Sequence, residues 1–405
     1  MTTAAGGSTD DVRRLNLILS CGVMLALLAL RLLQGEISVN GGFGYDGQDY
    51  ARGLVEGVQR DKANIALRPL VLWVNQPLYR LTGNVIETFR MMNLLYAGLL
   101  AWALCSLFDR YSDSRTGKIL LLGNLALCIA TLQMPAYYPV LIDLGAMAVT
   151  ALAVVAIVRE RRGASALLLS LAVLAREFSV ACLLFGLARD VRRRVPLVKI
   201  IGTYAPAVAT LVALRYYVAH YFTRRPLSPT QLLGNISFWL DPVFVVVFLY
   251  FLLTVFGGIS LFLASSPRRI ADLWRQEWEW AVFALSVVGA AALGDADIWR
   301  YLAYALPVAA TGFAVSWPDQ RPRALAAGAT LTLATLVTQR PFRVMSLDSY
   351  FIDWFPMYVH AGKAPLGHPA SMWPTWTWRL AAGAALLCAM IVVARLSARG
   401  RQNTD

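Results

Sequence analysis

The chain has 405 residues, 58% of them hydrophobic and 15% charged, with a net charge of +13 and a mean hydropathy of +0.56. Soluble domains carry about 25% charged residues, so this composition excludes an ordinary soluble enzyme and reads as a polytopic membrane protein. The arginines fall in short clusters between apolar runs rather than in one patch, the pattern of cytoplasmic loops, which argues against a nucleic-acid partner.

In chain order, residues 1–14 form a polar tail in which Arg13 and Arg14 precede the apolar run Leu15–Leu33. No small-residue cleavage site follows, so this run is expected to be an uncleaved first membrane helix with its N-terminus inside. A helix rises about 1.5 Å per residue, so about 20 residues cross a bilayer core of about 30 Å. Spans are predicted near 15–34, 89–108, 118–133, 138–158, 196–221, 241–264, 278–293, 299–316, 325–339 and 376–397. Basic clusters lie at 109–118, 159–163, 189–194, 265–269, 319–323 and 395–401. If all of them face the cytoplasm, the spans alternate correctly except at 164–189, which has basic residues at both ends and Arg176–Glu177 at its middle. This segment is predicted to be a short helical hairpin of two helices, 164–175 and 178–189. The expectation is one all-α integral membrane domain over 1–405, with about 12 transmembrane helices and both termini inside, the tail 398–405 included.

Cys21, Cys105, Cys128, Cys182 and Cys388 each sit in an apolar run, without metal-ligand spacing, and read as small apolar fillers. The three histidines are too scattered for a metal cluster; His360 and His368 share one late loop.

Two outer loops remain, 35–88 and 340–375. In the first, Tyr50, Leu54, Val55 and Val58 recur at helical spacing, which predicts an amphipathic helix over 47–60 lying along the outer membrane surface. The stretch 68–81, RPLVLWVNQPLYRL, predicts a second interfacial helix stopped near Pro77. Asp46 and Asp49 open the first of these helices. Helix capping explains an acid there, Asp49 more readily than Asp46. Asp46 is set in Gly-Tyr-Asp-Gly-Gln, where glycines let the backbone approach a ligand closely.

Tyr45-Asp46-Gly47-Gln48, then Tyr50, following a first membrane helix, resembles a motif of the GT-C superfamily of multi-spanning bacterial sugar transferases. The resemblance in architecture covers the whole chain, while the motif is short. It implies a GT-C-like bundle in a bacterial inner (plasma) membrane, with the active site facing the periplasm or outside. It further implies a polyprenyl-phosphate-linked sugar as donor and an essential acid in the first outer loop. The family's acid often belongs to an adjacent acidic pair or a D-x-D. Here the spacing is Asp46-x-x-Asp49, which leaves open which acid is the base.

Ionisable side chains within a bilayer are costly and tend to mark function or pair with one another. Arg176–Glu177 is either a hairpin turn solvated at the interface or a phosphate-binding element. Arg300 lies just inside an apolar run, followed by Tyr301 and Tyr304, and breaks the inside bias of the other arginines. Snorkelling is one explanation; by the resemblance, it binds the donor phosphate. Asp143 follows PAYYPVLID and could pair with Arg300, pair with Arg176 or orient a sugar hydroxyl. Asp295 and Asp297 form a D-x-D that caps the next helix or, without further support, holds a divalent ion. The last outer loop carries His360 and several tryptophans suited to an interfacial belt or to sugar stacking.

The function these features imply is an inverting glycosyl transfer to a hydroxyl of a glycolipid, polysaccharide or protein, with Asp46 or Asp49 as base. Arg300 and Arg176 would hold the phosphate, with Tyr45, Gln48, Asp143, Glu177, Tyr301, Tyr304 and His360 around them. No cofactor is required, and GYDGQ lacks the strand–turn–helix context of a nucleotide loop. Alternatives are a transporter or flippase of lipid-linked glycans, which predicts internal repeats and broken helices at the midplane, and an assembly subunit that binds lipid without chemistry. An acyl- or phosphotransferase would want a His- or Ser-centred site.

Overall fold

The structure, a computed structural model, describes residues 9–37, 39–44, 46–223, 237–240, 242–293, 298–318, 321–339 and 388. Tyr45, Asp295, Asp297, His360, the loop 340–375 and, apart from residue 388, the predicted span 376–397 lie outside the described residues. The described residues are mostly helical, with no strand among them.

The chain runs α1 (Thr9–Gln34), α2 (Gly47–Val55), α3 (Ala63–Ala66), α4 (Pro69–Thr82), α5 (Val85–Phe108), α6 (Arg115–Ala126), α7 (Met134–Tyr137), α8 (Asp143–Val158), α9 (Arg162–Ala175), α10 (Val180–Arg192) and α11 (Leu197–Tyr221). It continues with α12 (Pro242–Thr254), α13 (Gly258–Ser265), α14 (Pro267–Gln276), α15 (Glu279–Leu293), α16 (Ile298–Leu302), α17 (Leu306–Ser316) and α18 (Arg321–Gln339). Among the described residues, three helices are long and apolar enough to cross a membrane: Asp10–Leu33, Val85–Phe108 and Leu197–Tyr221. The helices Asp143–Val158, Arg162–Ala175 and Glu279–Leu293 are apolar but shorter.

Helix α5 is the central post, packing against α1, α4, α8 and α17, and α8 in turn packs on α9 and α10. Its core face is dense because small residues sit between large ones: Ala97, Ala101 and Ala103 are buried beside Leu100, Leu104 and Phe108. Apolar side chains are also exposed in quantity. Leu17, Ile18, Leu25, Leu32 and Leu33 on α1, and Val198, Ile201 and Val212 on α11, face outward, as expected for surfaces in contact with lipid.

Several predicted boundaries differ. The helix over 68–81 passes through Pro77 and ends at Thr82, where Gly83 takes φ +65°. A proline forfeits one backbone hydrogen bond, and here the buried Val71 and Leu72 anchor the helix regardless. Helix α2 stops at Val55 rather than 60, and its apolar face is turned into the protein: Tyr50 and Leu54 are buried. The surface element of this loop is α4, with Trp73, Val74 and Leu81 exposed. The predicted span 241–264 is broken between α12 and α13, where Gly257 has φ +56° and Gly258 lies so close to the Leu331 carbonyl that a Cβ there would overlap it. The break is closed by polar contacts: Gly258 N donates to Thr335 Oγ1 (2.8 Å), Thr335 Oγ1 to Asn124 Oδ1 (2.6 Å) and Gln339 Nε2 to Thr254 O (2.7 Å). The predicted span 118–133 likewise leaves α-helix after Ala126.

Within 164–189 the chain leaves α9 at Arg176, which is extended (φ −166°, ψ 137°), and re-enters helix at Val180 after one turn of 3-10 helix. Arg162 at the start of α9 hydrogen-bonds Asp190 near the end of α10 (Nη2 to Oδ1, 2.9 Å), so the two far ends return to one level.

Candidate functional site

The site is assembled where α2, α8, α16 and the α9–α10 break meet. Asp143 is the first residue of α8. The non-helical run before it is pinned to α5 by Asn93, whose Nδ2 donates to Pro139 O (2.7 Å). Gly145 lets the Tyr96 ring lie against the first turn of α8; a Cβ there would stand 2.8 Å from that ring. Asp143 is therefore presented at a fixed point, and it is buried.

Asp143 takes both arginines that the sequence left as alternatives. Arg300 donates from Nε (3.0 Å) and Nη2 (2.6 Å) to Asp143 Oδ2. Arg176 Nη1 forms an ion pair with the other oxygen, Oδ1. Arg176 is 1% exposed and Arg300 6%. The solvated-turn explanation for Arg176 therefore fails, and so does snorkelling for Arg300. Two buried guanidinium groups share one buried carboxylate, which leaves the cluster with an excess of positive charge.

Arg176 is boxed by rings. Its Cζ lies 5.8 Å from the centroid of Phe178, 5.4 Å from Tyr301 and 5.9 Å from Tyr304. Phe178 and Tyr301 stack at 4.0 Å. Cation–π attraction in a desolvated setting contributes about 2 kcal/mol and holds the guanidinium plane.

Asp46 reaches the cluster from the first outer loop. Its Oδ2 is 3.9 Å from Arg300 Nη1, and its side chain is 53% exposed. It occupies the N-cap position of α2 but makes no side-chain cap hydrogen bond, so capping does not account for it. The approach depends on glycine. Tyr138 Oη accepts a hydrogen bond from Gly47 N (2.7 Å), and a Cβ on Gly44, at φ +68°, would overlap the Tyr138 ring. Asp49 is engaged elsewhere, in an ion pair with Lys62 Nζ (2.8 Å). Gln48 is half-buried on the same turn.

Arg68 was not singled out by sequence. It immediately precedes α4, its Nη1 donates to Tyr50 Oη (2.5 Å), and its Nε is enclosed without a hydrogen-bond partner. Its charge acts on Glu177 and Tyr301 and on Tyr304. Nothing in the sequence separates Arg68 from Arg52, Arg60 and Arg80 of the same loop. Glu177 lies 3.9 Å from Arg215 through Oε1, while its Oε2 is enclosed and unpartnered. Tyr304 is 1% exposed, and its hydroxyl also lacks a partner.

The opposite ends of the same helices carry a second ionic network. Arg189 Nη1 (2.9 Å) and Arg192 Nη2 (2.7 Å) both donate to Glu279 Oε1, and Arg189 Nη2 donates to Val158 O (3.3 Å) at the end of α8. Glu277 accepts from Tyr111 Oη (2.9 Å) and Arg110 (3.2 Å). Burial alone would raise the Glu277 carboxyl; Arg110, Tyr111 and Arg189 outweigh it and hold it below the usual carboxylate range. Nearby, Asn16 Nδ2 donates to Asp109 (2.7 Å), and Lys118, buried, pairs with the same carboxylate. Helix α8 has 16 residues, so the two networks stand about 24 Å apart.

Among the described residues, no group of three or more His, Cys, Asp or Glu side chains could hold a metal ion. Comparison of the chain with protein families, characterised proteins and solved structures finds no match.

Proposed function

We propose that the protein is an inverting glycosyltransferase that moves a sugar from a polyprenyl-phosphate carrier to a hydroxyl of a glycolipid, polysaccharide or protein. The observation that carries this reading is the bridge from a half-exposed acid to a buried arginine pair: Asp46 beside Arg300, and Arg300 tied to Arg176 through Asp143. The resemblance of residues 45–50 to the GT-C motif supports it. So does the recurrence of apolar helices, which we read as about 12 spans with the basic network facing the cytoplasm and the Asp46 end facing the periplasm of a bacterial inner membrane.

In the proposed step, the acceptor oxygen attacks the anomeric carbon from the face opposite the phosphate. The new carbon–oxygen bond forms as the bond from the anomeric carbon to the phosphate oxygen breaks, and the configuration inverts. The hydroxyl proton passes to the Asp46 carboxylate. The phosphodiester, with one negative charge, leaves as a phosphomonoester with a second charge developing. Arginine suits that change because it stays protonated and presents a planar fork of donors to phosphate oxygens. Arg300, the outer member of the pair, would meet the phosphate; Arg176, more deeply enclosed, reinforces the field behind it. Asp49 is tied to Lys62, and that engagement favours Asp46 as the base.

The test is sugar transfer by purified protein in nanodiscs from a panel of polyprenyl-phosphate sugars, with wild type and Asp46→Asn side by side. Loss of transfer of about 100-fold or more in a folded Asp46→Asn protein supports the base assignment. Equal transfer by both proteins removes Asp46 from the chemistry.

The break between α12 and α13 is the feature a transporter of lipid-linked glycans would share. Its polar contacts run within the chain, to Thr335, Asn124 and Gln339, which is what a structural break needs. We therefore rank transport second. Movement of labelled glycolipid across vesicles without transfer would reverse that order.

A further inference from the structure

Arg68 Nε, Arg176 Nε, Tyr304 Oη and Glu177 Oε2 are all enclosed, and none has a hydrogen-bond partner among the described residues. Each such orphan costs about 1–3 kcal/mol unless something meets it. They are not scattered. Arg176 Cζ lies 5.9 Å from the Tyr304 centroid, Glu177 follows Arg176 in the chain, and Arg68, held on Tyr50, interacts electrostatically with Glu177, Tyr301 and Tyr304. Arg176 and Tyr304 are both 1% exposed, so bulk water does not serve them.

The chemistry of the set is mixed. Arg68 Nε and Arg176 Nε are donors only, Glu177 Oε2 is an acceptor only, and Tyr304 Oη is either. A phosphate, which offers acceptors alone, would leave Glu177 unserved and repel it. A neutral polyol fits better, because each hydroxyl donates one hydrogen bond and accepts others. An aromatic face lies alongside: Phe178 and Tyr301 stack at 4.0 Å next to the Arg176 guanidinium. Carbohydrate rings pair polar edges with apolar faces, and this wall carries both.

We propose that Arg68, Glu177 and Tyr304 form a subsite for the hydroxyls of a sugar, adjoining but separate from the Asp143–Arg176–Arg300 phosphate clamp. The inference rests on the glycosyltransferase reading and deepens it: these three side chains meet the hydroxyls of the donor's sugar ring, donors and an acceptor together, while the phosphate is held next to them. Tyr304 contributes its hydroxyl from an otherwise apolar wall, so Tyr304→Phe removes one hydrogen bond while conserving volume. Glu177→Gln keeps shape and removes charge.

The experiment measures binding to the full-length protein in nanodiscs of two probes: a polyprenyl phosphate, and the same lipid phosphate esterified with glucose, mannose or arabinose. Wild type is expected to bind one sugar-bearing lipid at least 10-fold more tightly than the bare phosphate. Tyr304→Phe and Glu177→Gln should each erase about 10-fold of that preference, roughly 1.4 kcal/mol, and leave bare polyprenyl phosphate binding unchanged. Arg300→Gln should weaken both probes together. If wild type binds both probes equally, or if Tyr304→Phe and Glu177→Gln keep the full preference, the subsite is wrong while the phosphate clamp stands. If wild type binds neither probe, the transferase reading fails and takes the subsite with it.

Discussion

The two ends of the bundle use the same residue types for different ends. At the basic end, Arg189 and Arg192 close on Glu279, Arg162 closes on Asp190, and Tyr111 with Arg110 closes on Glu277. The buried charges there, Lys118, Arg189, Asp190 and Glu279, are all paired, and the enclosed atoms left over are Arg189 Nε and the neutral groups of Ser106, Trp274, Ser316 and Trp317. At the other end, Arg68, Arg176, Glu177 and Tyr304 all keep enclosed polar atoms without partners, and Asp46 stands half in solvent beside Arg300. A network that exists to hold helices together is closed. One that leaves donors and acceptors enclosed and idle is stable only because the surrounding packing over-determines it, and it is poised to receive a ligand.

The comparison breaks most sharply on substitution at the basic end. Glu279 is fully buried between Arg189 and Arg192. Glu279→Ala leaves buried positive charge uncompensated and is expected to cost about 3–5 kcal/mol of stability, read as a fall in the thermal midpoint with unchanged affinity for polyprenyl phosphate in the protein that remains folded. If it lowered affinity without lowering stability, the division between the ends would be wrong.

Gly44→Ala tests the approach of the first outer loop. The residue is at φ +68° and its Cβ would overlap the Tyr138 ring, so a loss of about 1–3 kcal/mol is expected from strain, with Asp46 displaced and transfer reduced. Tyr138→Leu in the Gly44→Ala background, by clearing the ring, should restore part of the stability but not the Gly47 N–H partner.

The acid limb of the stability profile belongs to the basic end. Glu277 is held below the usual carboxylate range in the folded protein, so its contribution is fully present above its unfolded value of about 4.3 and is lost as pH falls through the folded value. Thermal midpoints should therefore drop below about pH 4 in wild type and drop less steeply in Glu277→Gln. Parallel profiles for the two proteins would contradict this assignment. The smallest effect is expected at Asp49, whose ion pair with Lys62 is half-exposed. Asp49→Asn should cost no more than about 1 kcal/mol and leave transfer within a few-fold of wild type.

Much of the site was legible because burying charge in an apolar segment is rare enough to be noticed. Arg176, Arg300 and Asp143 each interrupt an apolar run, and all three meet. Asp46 was legible from its glycine setting, since a helix-initiating acid flanked by glycine on both sides of its turn suggests a close approach. The way Asp143 bridges both arginines was not, because sequence distance carries no information about which of two cations a carboxylate reaches. Arg68 was missed because it lies in a loop where an arginine looks ordinary; only its enclosure beside Tyr50 marks it. The helices were less legible in continuity than in location. Hydropathy averages over a window and does not register that Gly257–Gly258 lets Leu331 and Thr335 press into the chain and break it. Pro77, read as a stop, is carried through because buried Val71 and Leu72 anchor the helix before it, with Leu78 and Tyr79 packed partly against the core after it, and only one backbone bond is lost.

The most direct measurement of the central claim is the rise in thermal midpoint on titrating a polyprenyl phosphate into wild type, Arg300→Gln and Arg192→Gln in nanodiscs. A ligand that binds only the folded state stabilises it in proportion to the logarithm of its concentration over its dissociation constant. The account predicts a clear rise for wild type, the same rise for Arg192→Gln from its lower starting point, and little or none for Arg300→Gln. No rise in wild type, or an equal rise in Arg300→Gln, would contradict it.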